Sequence, residues 1–337
     1  MWTWVLGGSP PSGVERRELS QAYGRSLTMR VDAPFTAQFS LDGRSSEAAE
    51  IDALETDLHV YRDGIKLFRG RIGPESDDVN ETSHSCQFTA TDYRGMLAYR
   101  IVDTAGAVFA AVDQGTIAWD LINASQALSG GNWGVTNGVG ATSGTVRDRT
   151  YDPGKPLLDA ISELFRVDNG GEWEISPSLA LNRWYPIRGT VTNVVLDYGG
   201  KVAKVRRLLS PGDFANFDLV SGSSRLTPVS AVTAGIGTDP RGRWETSAGY
   251  PSVLEQATLT TKAAWLLDQT STLRPEIGVV LTPGRWAGLS DVALGDTVAL
   301  SVRSGRLADT GAYRVVEINC VPGEDGTETI TMGLVAA

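Results

Sequence analysis

The residues best suited to nucleophilic or metal chemistry are two histidines, His59 and His84, and two cysteines, Cys86 and Cys320. In His84-Ser85-Cys86 a strand's alternation places imidazole and thiol on one face. A cysteine nucleophile gains its low pKa from a helix N-terminus or a cationic neighbour. Mid-strand, Cys86 is expected to pack instead. A zinc site needs three or four ligands at recognisable spacing, and His-x-Cys alone is too little. His59 points opposite Leu58 and Val60 and is expected at the surface. Glu172 and Glu174 flank Trp173, which puts two carboxylates on one side of a strand, roughly 7 Å apart. Glycosidase pairs have similar spacing but face each other across a sugar, so a solvated strand face is the expected role. Asp77-Asp78, with Glu75 and Glu81, lacks the Gly and bidentate Glu of the familiar calcium loop. No GxGxxG follows a strand, and Walker, GxSxG and HExxH motifs are missing. We expect no catalytic residue, cofactor or metal.

The elements that position these groups follow from composition and periodicity. At 337 residues the chain can hold two or three domains with real cores, and 38 Gly with 15 Pro suit strands and turns. No apolar run approaches the ~20 residues of a membrane helix, and the N-terminal MWTWVLGGSPPSG has no basic region typical of a signal peptide. Two cysteines make no disulfide framework and are expected free and buried. Forty acidic against thirty basic residues, net charge -10, argue against a sequence-independent nucleic-acid binder. The basic group Lys201, Lys204, Arg206 and Arg207 reads as a solvated strand edge.

Along the chain, Leu27-Met29-Val31 and Ala37-Phe39-Leu41 alternate with polar residues as strands, and Asp63-Gly64 joins a hairpin over 58–72. Helical spacing appears at Ile117, Leu121, Ala124 and Leu128, and again at Leu157, Leu158, Ile161, Leu164 and Phe165 behind Asp152-Pro153. Residues 132–145 read as a loop, mobile in expectation. Phe214 to Ser221 alternates and is expected to return the chain to the first domain. A capping box at 251–255 opens a helix with Leu254, Ala257, Thr261, Ala264 and Trp265 on its face, up to Leu273-Arg274-Pro275. Alternating strands close the chain. The expected fold is α+β, mostly β, with two antiparallel β-barrel-like domains and an α+β middle. Residues 1–101 form the first, with a return strand near 214–221; 102–212 are an inserted α+β domain; 236–337 supply a helix and the second barrel-like domain.

One stretch carries a specific likeness, Leu67 to Arg100: LFRGRIGPESDDVNETSHSCQFTATDYRGMLAYR. It reads as a strand that Gly73-Pro74 ends, a polar loop from Glu75 to Ser83, an alternating strand, and a turn capped by Asp92. The pattern FRGRI, polar loop, alternating strand, DYRGML resembles the minor tail proteins of long-tailed phages of actinobacteria. These are similar to the baseplate hub of contractile tails. The resemblance implies a structural virion protein at the tail tip, assembled in the host cytoplasm. It implies a homotrimer in which two similar β-barrel domains per subunit match a sixfold ring. Its implied partners are the distal tail protein ring, the tape measure protein and host-binding tip proteins, with DNA only in transit and no membrane insertion. An acidic wall would let DNA slide past without sticking. Interface candidates are Trp2, Trp4, Arg71, Asp77, Asp78, Arg243, Trp244 and Trp286, since exposed Trp and Arg favour interfaces. The alternatives are a receptor- or carbohydrate-binding tail protein and a cell-wall glycoside hydrolase.

Overall fold

The computed structural model describes residues 1–10, 13–103, 105–167, 170–209, 212, 214–250, 253, 255–272, 275–282 and 291–337. Apart from the last residues, the chain forms two units, Met1–Val205 with Gly278–Val335, and Arg206–Ile277.

The first unit opens with β1 (Trp2–Gly8), β2 (Glu15–Glu18), β3 (Tyr23–Arg30), β4 (Thr36–Asp42), β5 (Thr56–Arg62), β6 (Ile65–Val79) and β7 (His84–Asp92), then the short helix α1 (Tyr93–Met96). Period-2 alternation sets their faces. Ala37, Phe39 and Leu41 of β4 lie opposite Ala90, Phe88 and Cys86 of β7, so the apolar positions of both strands meet on the core side. Phe39 and Phe88 stack with ring centroids 5.2 Å apart, and Trp4 meets Phe39 edge-on at 5.9 Å. Asp63 (φ 51°) and Gly64 (φ 79°) make the tight β5–β6 turn that the Asp-Gly pair predicts.

Gly73-Pro74 does not end β6. The strand runs on to Val79, and the β6–β7 register shifts between Ile72 and Glu75. A bulge tolerates a proline because a ladder hydrogen bond is already missing there. The expected polar loop of 75–83 thus shrinks to its last four residues. There the Asn80 side chain accepts from the backbone N–H groups of Thr82 and Ser83, both at 2.9 Å.

The middle region holds β8 (Ala107–Asp113), α2 (Gln114–Gln126), β9 (Thr136–Asn137), β10 (Val146–Tyr151), α3 (Leu157–Phe165), β11 (Glu172–Ile175), β12 (Ala180–Trp184), β13 (Val191–Asp197) and β14 (Val202–Leu208). Ile117 and Leu121 of α2, Leu157, Ile161, Leu164 and Phe165 of α3, and Trp173 and Leu181 share one core with Tyr93, Met96 and Leu97. Of the expected α2 face, Ala124 is exposed within the helix, whose buried side runs through Ala118, Ile122 and Ser125 instead, and Leu128 is exposed because the helix ends at Gln126. Asp152-Pro153 forms a turn instead of capping α3, which starts five residues after Asp152, behind Pro156. Residues 132–145 are tied down: Thr136-Asn137 pairs with β12, Gln126 bonds both backbone groups of Val135, and Asp113 accepts from Ser143 and Gly144.

The first unit closes with the strands that follow the second unit. The latter comprises β15 (Phe217–Ser221), β16 (Val229–Val232), β17 (Glu245–Gly249) and α4 (Gln256–Thr270), and then come β18 (Glu276–Leu281), β19 (Thr297–Ser304), β20 (Leu307–Pro322) and β21 (Glu328–Ala336). Cys320 and Ile318 of β20 lie opposite Leu27 and Met29 of β3. Early and late strands therefore share one sheet in the order β14-β18-β21-β20-β3-β4-β7-β6-β5-β1-β2, with β19 on β20 and β13 on β19. The protein is mostly β, and this sheet curls as a half-barrel.

In the second unit β15 pairs with β16 and, in parallel, with β17. The strand expected to rejoin the first sheet thus builds one of its own, because Val229–Val232 and Glu245–Gly249 satisfy both of its edges. Leu259 and Ala263 of α4 pack with Val220 and Val253, so the buried stripe differs from the expected Thr261, Ala264 and Trp265 face. Leu254, most of the expected capping box, and Leu273-Arg274 lie outside the described residues. Among the described residues no helix is long and apolar enough to cross a membrane.

Candidate functional site

The FRGRI and DYRG segments form a buried charged latch. Asp57 on β5, fully buried, accepts from Arg69 Nε and Arg71 Nε at 3.1 Å and from the Tyr93 hydroxyl at 2.9 Å. Arg71 also donates to Leu54 O at 2.9 Å and to Tyr93 Oη at 3.0 Å. A buried carboxylate needs this many partners to offset its lost hydration. Gly70 between the two arginines admits the β7 backbone: a Cβ there would lie 2.4 Å from Thr91 O. Asp92 accepts from Gly95 N at 2.8 Å, capping α1, and from Phe35 N at 2.9 Å. Burial pushes its carboxyl up to about 7, against the pull of those two N–H groups. Arg94 donates to Val31 O at 2.9 Å and Trp173 O at 3.1 Å, with its guanidinium 4.5 Å from the Trp173 ring centre. The motif joins the N-terminal strands to the middle core, and Arg71 is committed to it instead of to an exposed interface.

The far end of the β6–β7 hairpin carries a second cluster. Asp77 lies directly opposite Cys86 in the ladder, and Val79 opposite His84. Cys86 Sγ donates to Asp77 Oδ1 at 2.7 Å, His84 Nε2 lies 3.1 Å from the same oxygen, and Sγ and Nε2 are 3.6 Å apart. Burial and then the Asp77 bond and charge, with Glu75 and Asp42 beyond, push the Cys86 thiol up to about 11, so it is a poor nucleophile. The Cys86 and His84 bonds hold the Asp77 carboxyl below its usual range. Among the described residues these three side chains are the group of His, Cys and acidic donors that converges as a metal site would. Asp78 points away from them beside Ser85 and is exposed.

The other candidates fall in different places. Trp4 is 1 % exposed and serves the core, since its position on β1 faces Phe39; it is not an interface side chain. Trp2 is half-buried, donating to Glu328 Oε2 at 2.8 Å. His59, expected at the surface, is 1 % exposed. Its Nδ1 lies 3.0 Å from Glu15 Oε1 and its ring packs over Gly7; β2 covers a face that the Leu58-His59-Val60 alternation left open. Burial lowers its pKa, keeping it neutral near pH 7. Glu174 is buried and pairs with Arg188 at 2.6 Å, and Glu172 with Arg314 at 2.7 Å. Each carboxylate is neutralised by its own arginine, and neither faces an open strand surface as expected. In the second unit Trp244 is 44 % exposed, its ring edge-on to Phe214, while the Arg243 guanidinium lies 3.9 Å from the Phe217 ring centre. This pair remains an exposed aromatic–arginine patch. Trp286 lies outside the described residues.

The fold so assembled has known counterparts. No protein-family model and no curated protein sequence matches this chain. Among solved structures it is similar to a tail protein from Neisseria meningitidis MC58, with TM-score 0.67 and 11 % identity over 99 % of this chain and 96 % of the other. It is similar to the 43 kDa tail protein of prophage MuSo2 from Shewanella oneidensis, with TM-score 0.69 and 12 % identity over 99 % and 97 %. The prophage tail protein gp18 from Listeria monocytogenes EGD-e matches with TM-score 0.60 and 12 % identity over 98 % and 94 %. The tail-protein resemblance carried by residues 67–100 therefore holds at the level of fold.

Proposed function

We propose that this protein is a structural subunit of a phage tail tip, a hub that joins the tail tube, through the distal tail ring, to the host-binding parts. The observation that carries this reading is the agreement in fold with tail proteins, two of them from prophages, over nearly the whole of both chains. The early strand block and the late strand block are the two comparable β modules of each subunit, and three subunits present six such surfaces to a sixfold ring. Such a hub performs no chemistry. It seals the tip and lets the tape measure protein and DNA pass. The Arg243–Trp244 patch is a subunit or partner contact in this reading.

The test is electron microscopy of the purified chain together with its mass in solution. Threefold rings with six similar peripheral lobes are expected. A protein that stays monomeric at tens of micromolar, or that clears peptidoglycan in a zymogram and ceases to do so on Glu172→Gln, would overturn the assignment.

A further inference from the structure

We infer that the distal end of the β6–β7 hairpin is a zinc-binding site built from Asp77, His84 and Cys86. The three donor atoms come from both strands and lie within 4.8 Å of one another. Around a tetrahedral zinc with ordinary Zn–S, Zn–N and Zn–O bonds, the donor–donor edges are about 3.3–3.6 Å. The edges here are 3.6 Å for Sγ to Nε2, 3.1 Å for Nε2 to Oδ1 and 2.7 Å for Sγ to Oδ1. Two already fit. The third opens by under an ångström if the Asp77 side chain, 59 % exposed, rotates.

The surroundings favour a soft dication over calcium. A thiol and an imidazole suit zinc, whereas calcium takes oxygen donors alone. Glu75 lies opposite Phe88, on the same face as Cys86, and its charge and that of Asp42 reach the thiol. They add to the field that draws in a cation. The imidazole is seated by Gly43, where a Cβ would come within 2.4 Å of the ring. With three protein ligands, water completes the tetrahedron. On binding, the thiol proton goes to solvent, because a coordinated thiol is deprotonated outright.

The experiment uses the full chain stripped with a chelator and titrated with zinc against a chromophoric competitor, then with cobalt as a spectroscopic stand-in. One zinc per chain is expected, with visible tetrahedral cobalt bands and a thiolate-to-cobalt charge-transfer band. Cys86→Ser should abolish that band and weaken zinc binding at least about tenfold, a conservative figure given the losses seen on removing outer-shell partners. The exposed Asp77→Asn should weaken binding while the chain still unfolds cooperatively in chelator. Cys320→Ser should leave zinc binding and the cobalt bands unchanged, since Cys320 lies on β20, away from the cluster, in the buried core. Failure to bind stoichiometrically, or equal binding by wild type, Cys86→Ser and Asp77→Asn, would overturn the site.

Discussion

Asp57 sets how much a single side chain matters here. Replacing it with Ala strands two guanidinium groups and a tyrosine hydroxyl beside a buried position, and loss of one partner of such a network costs about 3–5 kcal/mol. The exposed Asp78→Ala should cost under about 0.5 kcal/mol. Urea midpoints for the two variants check both figures. Asp92 brings a pH dependence of definite sign. Its folded value near 7 lies above the unfolded value of about 3.9, so its contribution is complete below pH 4 and is lost as pH rises towards 7. Relative to Asp92→Asn, the wild type should lose stability across that window, by at most about 1.4 kcal/mol per pH unit. Parallel curves for the two proteins would show that the carboxyl does not titrate there. These roles were only half legible. Alternation assigned Phe39, Phe88 and Cys86 to one side correctly, because each strand carries its own face. What lies across a strand is not written in it: Asp57 opposite Arg71, Asp77 opposite Cys86 and Glu15 over His59 depend on pairings between segments 9 to 44 residues apart.

Among the elements, α2 shows how a cap can hold more than a helix. Asp113 accepts from Gly115 N and Thr116 N, and also from Ser143 N and Gly144 N at 2.9 Å. Burial pushes its carboxyl up, but these donors prevail and it lies below its usual range. Asp113→Ala should cost about 2 kcal/mol, the upper end for an N-cap, and should speed amide exchange in 141–145 as well as in the first turn of α2. Unchanged exchange in 141–145 would mean that the loop is held by other bonds. The helical spacing that opens at Ile117 missed this because Gln114 and Gly115 look unlike a first turn. Gly73-Pro74 misled for a related reason: in a single strand it signals an end, but opposite β7 it is accommodated as a bulge.

For the whole molecule, the two units differ in how much core they own. The second has a small cluster around Val220, Val253, Leu259 and Ala263, whereas the first buries Trp4, Phe39, Phe68 and Tyr93 among many others. Hydrogen exchange should therefore lose protection in 206–277 before it does so in β4 to β7; simultaneous exchange would mean a single cooperative block. That second unit was not legible as a separate body, since Phe214 to Ser221 has the alternation of any sheet strand and nothing local says which sheet it joins.

The β3–β20 seam has a consequence for birth of the chain. Arg30 and Glu317, which pair across it, are 287 residues apart. At bacterial-like elongation rates of ~5–20 residues per second, β3 waits about 15–60 s on the ribosome with one ladder edge bare. An unpaired edge is a template for any passing strand. Translation stalled before β20 would thus leave a nascent chain primed to stick to its siblings, and slower synthesis would lengthen the exposure instead of easing folding.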